Sequence, residues 1–313
     1  MPARPILKWA GGKGQLLERL SAYFPKALSD GTIKDYYEPF LGGGAMFFHV
    51  MQKYPLKSAW LMDANEELIV LYTSLQRDVE PLLAILTQME IDYLKLGEAR
   101  RKDRYLKTRD ALNGARTGMD FRKYSPAWIE RAAQIIFLNK TCYNGLFRVN
   151  KHGGFNVPFG KYVRPTIADA GNLRLASALL SKARILHGDF GDLARLDAAK
   201  ASGLVKAGSF IYYDPPYRPL SPTASFTAYS RLSFGDAEQE RLAKMFRALD
   251  RKGVWQMLSN SDPKNADPED DFFEETYSGY RDTFYRVPAS RSINSNPARR
   301  GRINEIVITN YRA

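Results

Sequence analysis

A chain of 313 residues, 44% of them apolar, is long enough to bury a large core, and its single cysteine, Cys142, excludes an internal disulfide framework. With only three histidines beside it, a structural zinc cluster is not expected, and no apolar run reaches the roughly 18 residues of a membrane span. The net charge of +12 is uneven: residues 90–165 hold 16 Lys/Arg against 7 Asp/Glu, residues 281–313 hold 7 against 2, and the remainder is near neutral. Two basic segments on a near-neutral body form a polyanion-binding footprint, although solvated helix faces would give the same count. Met1-Pro2-Ala3-Arg4-Pro5 lacks the apolar stretch of a secretory signal, so a cytoplasmic location is the expectation.

Taken in chain order, Ile6-Leu7-Lys8-Trp9-Ala10-Gly11-Gly12-Lys13-Gly14 is a glycine turn, and Leu16, Leu17 and Leu20 follow at helical spacing. Such a turn can offer N–H groups to an anion, or can simply let the chain start a helix. It is no Walker loop, since no Ser or Thr follows Lys13. Asp35-Tyr36-Tyr37-Glu38 predicts a strand, Pro39-Phe40-Leu41-Gly42-Gly43-Gly44 a turn, and Ala45-Met46-Phe47-Phe48 a helix start. Glycines there let the backbone approach a ligand closely. About twenty residues on, Trp60-Leu61-Met62-Asp63 predicts a strand ending in an acid, the place that holds ribose hydroxyls in Rossmann-like units. The combination points to a nucleoside-bearing cofactor. The G-x-G-x-x-G of dinucleotide enzymes is absent, with Phe47 at its last position, which counts against an oxidoreductase.

From about Arg77 to Arg164 the pattern becomes a mostly helical insertion, with helices expected over Leu82–Ile91 and Pro126–Leu138 around a densely charged stretch at 99–123. Within it, Asn139 to Tyr162 predicts a β-hairpin about Lys151-His152-Gly153-Gly154. Its Arg, Lys, Asn and aromatic side chains suit a nucleic-acid groove, or would pack into the core. Ala183 to Phe190 returns to strand character and also ends in an acid, Asp189; His187 reads as a structural strand residue.

Gly208-Ser209-Phe210-Ile211-Tyr212-Tyr213 predicts a buried strand, stopped by Asp214-Pro215-Pro216-Tyr217. Neither proline offers an N–H, and each restricts the residue before it. A carboxylate is thereby fixed at the carboxyl end of a core strand, where open α/β sheets bind ligands. Arg218 to Gly235 predicts a long loop, Ala237 to Leu249 an amphipathic helix, Val254 to Asn260 a strand, and residues 262–271 an acidic surface loop. Thr283–Val287 and Ile303–Ile308 predict a terminal hairpin. Between them, Arg291 to Asn296 with Arg299, Arg300 and Arg302 suits phosphate contact.

Lys8-Trp9-Ala10-Gly11-Gly12-Lys13, Glu38-Pro39-Phe40-Leu41-Gly42-Gly43-Gly44, Asn144-Gly145-Leu146-Phe147-Arg148, Phe155-Asn156-Val157-Pro158-Phe159-Gly160 and Asp214-Pro215-Pro216-Tyr217 occur in one order across nearly the whole chain. Together they resemble the Dam family of site-specific DNA adenine-N6 methyltransferases. Ser259-Asn260-Ser261-Asp262 and the Arg291 to Asn304 tail resemble its restriction–modification branch. The resemblance implies S-adenosylmethionine as methyl donor, S-adenosylhomocysteine as product, no metal, and double-stranded DNA as partner, hence a nucleoid association. It implies an α/β, Rossmann-like S-adenosylmethionine-dependent methyltransferase fold whose parallel sheet carries one antiparallel strand near an edge. Residues 1–76 and 166–313 would be the catalytic domain, and 77–165 a mostly helical target-recognition insertion carrying the β-hairpin.

By the same resemblance, Trp9 and Lys13 line the cofactor site. Phe40, Gly42 and Gly44 approach its methionine part, Asp63 its ribose, and Asp189 and Phe190 its adenine, with Asp214 at the methyl group. Lys8, Leu146, Arg148 and Pro158 lie near base edges of a GATC-type site, Tyr143 inserts into the duplex beside Asn144, and Arg291 and Asn294 belong to the DNA-contacting tail. The catalytic set is Asp214, Pro215, Pro216 and Tyr217. The Asp214 carboxylate and Pro215 carbonyl would accept the two N6–H bonds, and Tyr217 would stack on the base. The reading adds a flipped adenine, a monomer in solution and a restriction endonuclease encoded alongside. A methyltransferase acting on cytosine N4 or RNA adenine, or a DNA-binding protein with lost activity, are the alternatives.

Overall fold

The structure, a computed structural model, describes residues 2–9, 13–14, 16–150, 153–193, 205–218, 234–290 and 302–313. Among these, strands β1 (Asp35–Glu38), β2 (Ser58–Asp63), β3 (Ala183–His187), β4 (Phe210–Tyr213), β5 (Trp255–Ser261), β6 (Phe284–Ser290) and β7 (Arg302–Thr309) form one sheet. Their spatial order is β3-β2-β1-β4-β5-β7-β6. The first five run parallel, while β7 is antiparallel to both β5 and β6. β7 is thus the expected reversed strand near an edge.

Among the described residues the α-helices are α1 (Leu17–Ser21), α2 (Lys26–Ser29), α3 (Ala45–Lys53), α4 (Glu66–Arg77), α5 (Val79–Leu94), α6 (Glu98–Gly114), α7 (Pro126–Thr141), α8 (Ala170–Leu180), α9 (Asp236–Asp250) and α10 (Phe272–Thr276). Side chains alternate across a sheet, so this one has two cores. Tyr36, Phe210, Tyr212, Met257 and Val307 face one of them, closed by α3, α4 and α8. Tyr37, Ile211, Tyr213, Leu258, Ile306 and Ile308 face the other, closed by Leu242, Phe246 and Leu249 of α9. Among the described residues, no helix is long and apolar enough to cross a membrane.

The basic insertion joins the first core directly. Tyr93 of α5, Tyr105 of α6, Trp128 and Phe137 of α7 share one apolar cluster with Leu68 and Leu71 of α4. At its centre, Arg131 forks onto Glu67 with Nε–Oε2 2.7 Å and Nη2–Oε1 2.6 Å, and donates to the Leu112 carbonyl at 3.0 Å. Arg116 reaches Glu67 at 2.5 Å and Glu66 at 2.6 Å. Part of the insertion's positive charge therefore fastens α6 and α7 to α4.

The expected β-hairpin is not continuous. Among the described residues the segment forms isolated bridges, Cys142 with Phe159 and Val149 with Phe155. Pro158 has no N–H to give a ladder, and Asn144, Gly145, Gly153 and Lys161 take the left-handed conformation, which breaks strand geometry. The Asn150 N–H still bonds the Gly154 carbonyl at 2.8 Å, and the Asn156 N–H the Arg148 carbonyl at 3.1 Å. Lys151 and His152 lie outside the described residues, as do most of the expected Arg218 to Gly235 loop and the Arg291 to Arg300 stretch.

Candidate active site

The carboxyl ends of β1, β2, β3 and β4 meet along one edge of the sheet. At β1, the chain leaves Glu38 through Pro39 and Phe40 into the glycine turn. Gly42 (φ 49°) and Gly44 (φ 69°) take left-handed backbone that other residues enter only with strain. A Cβ on Gly42 would stand 3.0 Å from the Trp9 ring and one on Gly43 3.0 Å from the Trp9 Cβ, so Trp9 packs against this turn. Trp9 also stacks on Phe147 of the insertion, with centroids 5.2 Å apart. The turn is pinned from three sides: the Gly42 N–H donates to Asp63 Oδ2 at 2.9 Å, Tyr72 donates to the Gly42 carbonyl at 3.0 Å, and the Leu41 N–H donates to the Met62 carbonyl at 3.0 Å.

Asp63 also accepts from the Asn65 N–H at 2.8 Å. Burial pushes its pKa up, while these N–H donors pull it down. Glu38 is buried, accepts from Tyr36 at 2.7 Å, and is pushed well above the usual carboxylate range by that burial. Beyond β3, Phe40, Phe190 and Phe234 pack ring on ring at 5.3 to 5.7 Å. Arg241 of α9 lies over the Phe190 ring at 3.9 Å and forks onto Asp189 at 2.5 and 2.7 Å.

At β4, Asp214 follows the buried strand, and Gln239 of α9 donates to the Pro216 carbonyl at 3.1 Å, which steadies the proline turn. Lys13, 3% exposed, reaches into the same place from the N-terminal segment. Its Nζ lies 3.2 Å from Asp214 Oδ1, 2.8 Å from Glu305 Oε2 and 2.9 Å from the Tyr217 hydroxyl, and sits over the Tyr217 ring at 4.7 Å. Tyr217 donates in turn to Glu305 Oε1 at 2.9 Å. Burial opposes the Lys13 charge, but Asp214, Tyr217 and Glu305 outweigh it and keep the ammonium protonated. Asp214 is pushed up to about 6, chiefly by burial; Lys13 opposes the shift and Glu305 adds to it.

A third group of residues gathers on the surface beside Trp9. Tyr143-Asn144-Gly145-Leu146 turns back on itself with φ 56° at Asn144 and 65° at Gly145, the pair of left-handed residues typical of an Asn-Gly turn. Tyr143 is 56% exposed, and Asn144, Arg148, Pro158 and Lys8 are exposed with it. The Tyr143 N–H bonds the Pro158 carbonyl at 2.8 Å, and the Lys8 stem packs on Gly145, where a Cβ would meet it at 2.5 Å. Arg148 bonds Asn156 Oδ1 at 2.9 Å.

The structure thus brings together Lys8, Tyr143, Asn144, Leu146, Arg148 and Pro158, and separately Trp9, Phe40, Gly42, Gly44 and Asp63. Asp189 and Phe190 stand at the far side of Phe40. Lys13 comes to Asp214 and Tyr217. Arg291 and Asn294 lie outside the described residues. Sequence reading missed Glu305, Arg241, Asn139 and the burial of Glu38. Glu305 carried a signal, being the one acid in the apolar run Ile303 to Ile308.

A parallel sheet with a reversed penultimate strand, a glycine turn after its first strand and an acid–proline turn after its fourth is the architecture of the S-adenosylmethionine-dependent methyltransferases. A family model of D12 class N6 adenine-specific DNA methyltransferases matches residues 9–293, and the chain belongs to that family. It is 44% identical over 99% of its length, and all of the relative's, to the type II methyltransferase M.MjaIII of Methanocaldococcus jannaschii. It is 35% identical to the type II methyltransferase M1.LlaDCHI of Lactococcus lactis, over 98% of this chain and 95% of that one. It is 30% identical to the DNA adenine methylase of Escherichia coli K12, over 97% and 94%. The chain is a DNA adenine-N6 methyltransferase, and cytosine N4 and RNA adenine fall away as alternatives.

Proposed function

We propose that Asp214, Pro215, Pro216 and Tyr217 form the pocket for a flipped adenine, in a GATC-type site, of a restriction–modification methyltransferase. The observation that carries this reading is the Asp214 carboxylate, whose Oδ1 lies 3.2 Å from the Lys13 ammonium and whose side chain is 22% exposed at the end of β4. Its other oxygen would accept one N6–H, and the Pro215 carbonyl the second. Adenine N6 is a poor nucleophile because its lone pair is delocalised into the ring. Two fixed acceptors favour a pyramidal nitrogen whose lone pair is free to attack. Tyr217 offers its ring for stacking. Positioning is the protein's main contribution.

The residues present suit S-adenosylmethionine, whose sulfonium supplies an activated methyl group when bound. At Gly42 a Cβ would press on the Trp9 ring, and at Gly44 on Tyr72 and Phe48, so the turn presents bare backbone, and Asp63 keeps lone pairs for ribose hydroxyls. Phe40 and Phe190 offer apolar faces beside Asp189. We take this edge as the donor site, with Lys13 bridging it to the adenine pocket.

An adenine inside a duplex is out of reach, so the base flips, at a cost of a few kcal/mol. Exposed Tyr143, beside Asn144, would fill the gap it leaves. Lys8, Leu146, Arg148 and Pro158 would read base edges, and residues 77–165 act as the target-recognition unit. Arg291 and Asn294 would contact the duplex from the tail. A monomer acts on both DNA strands in turn, with a cognate endonuclease encoded nearby.

Expression in a host without adenine methylation tests the site. Plasmid from that host should become resistant to a nuclease that cuts only unmethylated GATC, and sensitive to one that cuts only the methylated form. Plasmid with neither change would remove GATC.

A further inference from the structure

We infer that Glu305 is a positioning residue for methyl transfer: from β7 it clamps Lys13 and Tyr217 into the arrangement that lets Asp214 receive the adenine amine. The inference rests on the reading of Asp214 as the N6–H acceptor and deepens it.

Glu305 is 4% exposed and lies on an edge-side strand, two strands from Asp214. Its cross-strand neighbours are Ser261 on β5 and Val287 on β6, neither of them charged. The strand has no packing need for an acid there, and a well-packed apolar residue would serve stability at least as well. Both oxygens are instead spent on the pocket: Oε2 takes the Lys13 ammonium at 2.8 Å and Oε1 takes the Tyr217 hydroxyl at 2.9 Å.

The consequence is electrostatic. A buried Lys13 with Asp214 as its single counter-ion would spend its full charge on that carboxylate and weaken it as an acceptor. Glu305 shares the ammonium, and its own negative charge makes the Asp214 carboxylate hold hydrogen more strongly. Among the described residues, the other charged or titratable groups facing Asp214 are Lys13, Tyr217, Tyr212, Tyr36 and Glu38. Of these, Tyr36 and Glu38 bond each other at 2.7 Å, and Tyr212 is bonded to Ser259 at 2.6 Å. Through Tyr217 the same acid fixes the angle of the ring.

The test is Glu305→Gln in the full chain, set beside Glu305→Asp. Glutamine keeps the size and an acceptor for Tyr217 but removes the charge. Single-turnover methylation at saturating donor should slow on the order of 10²-fold, the cost of misplacing a reacting group by about 1 Å. Dissociation constants for DNA and donor should stay within about twofold, since neither ligand loses a direct contact. The acid limb of the pH–rate profile should move to lower pH, because the charge that raises Asp214 is gone. A carbon-13 NMR titration of the Asp214 carboxyl, in protein alone, should move the same way. Glu305→Asp keeps the charge and should leave the limb where it is.

A glutamine variant with unchanged rate and an unmoved limb overturns the inference. So does equal loss in both variants with the limb unmoved, which is the mark of a structural role. If Glu305→Gln cannot be folded, Glu305→Asp decides alone: a shifted limb, or loss of donor and DNA binding together, overturns the inference. Asp214→Ala run in parallel separates the two readings. Retained methylation there removes the Asp214 reading, whereas a dead Asp214 variant beside an unaffected Glu305→Gln removes only this one.

Discussion

Asn139 grips Lys8 by both of its backbone groups: Oδ1 accepts the Lys8 N–H at 3.0 Å, and Nδ2 donates to the Lys8 carbonyl at 3.0 Å. The same Nδ2 donates to the Gly145 carbonyl at 2.8 Å. One buried amide on the last turn of α7 therefore ties the N-terminal segment to the Asn144-Gly145 turn, and Trp9 follows Lys8 directly onto the glycine turn of β1.

Asn139→Ala should leave buried backbone groups unpaired, at about 1–3 kcal/mol each. Urea denaturation would show the lost stability. Because Lys8 and the 143–146 turn are both released, discrimination between cognate and altered DNA sites should fall with it. Unaltered discrimination in the folded variant would separate this amide from DNA readout.

Asp214→Ala should abolish methylation, by roughly 10²–10³-fold or more in kcat, the usual cost of removing one group that stabilises a reacting centre. DNA binding, measured by fluorescence anisotropy, should remain largely intact. Equal loss of both would contradict a division between an adenine pocket and a DNA surface.

Asp214 sits at about 6, raised by burial with Glu305 adding and Lys13 opposing. Its ionised form is the better acceptor, so kcat should rise with pH through about 6 and level above it. The sign for stability is opposite. A carboxyl raised by burial favours the folded state most below its unfolded value of about 3.9, and that contribution is lost as pH rises through the folded value. A pH–rate profile flat from 5 to 8 would be incompatible with a titrating Asp214 in the chemical step.

Arg148→Ala should relax the choice of a flanking guanine by about 1–3 kcal/mol, the worth of one bidentate base contact. The side chain is exposed and braced by Asn156, so the fold should be unaffected. Sequencing of methylated sites in the variant gives the answer directly. An unchanged site preference removes Arg148 from base readout.

Arg131→Ala should destabilise the protein by about 3–5 kcal/mol, because it leaves Glu67 buried among fewer partners. Glu67 would keep Arg116 at 2.5 Å, which sets the lower end of that range. The loss should appear first as faster amide exchange in α6 and α7, which the pair fastens to α4.

The layout of the candidate site was legible because its signals are local. Strand, turn and helix follow one another at Tyr36 to Phe48, and Phe210 to Tyr217 pairs an apolar run with two prolines. Four parallel strand ends fall out of that reading. What stayed hidden is pairwise and distant. Arg131 and Glu67 are 64 positions apart, and each alone looks like a surface charge. Asn139 and Lys8 are 131 apart. The hairpin is shorter than the alternating residues from Asn139 to Tyr162 suggest: Val149 pairs with Phe155, while Pro158 and the left-handed residues keep the pairing from extending into a ladder. Lys13 was placed by resemblance at the donor, and only the fold puts its ammonium between Asp214 and Glu305.

The ionic knot of Lys13, Asp214, Tyr217 and Glu305 draws together residues as far as 292 positions apart. Domains are made N-terminal first, at about 5–20 residues per second. Lys13 and Asp214 therefore emerge from the ribosome well before β7 can supply Glu305 or slot between β5 and β6. A nascent chain carries an unfinished pocket and an open edge on β5 until β7 arrives. Full methylating capacity waits on β7, and a chain cut before Arg302 would be held short of it.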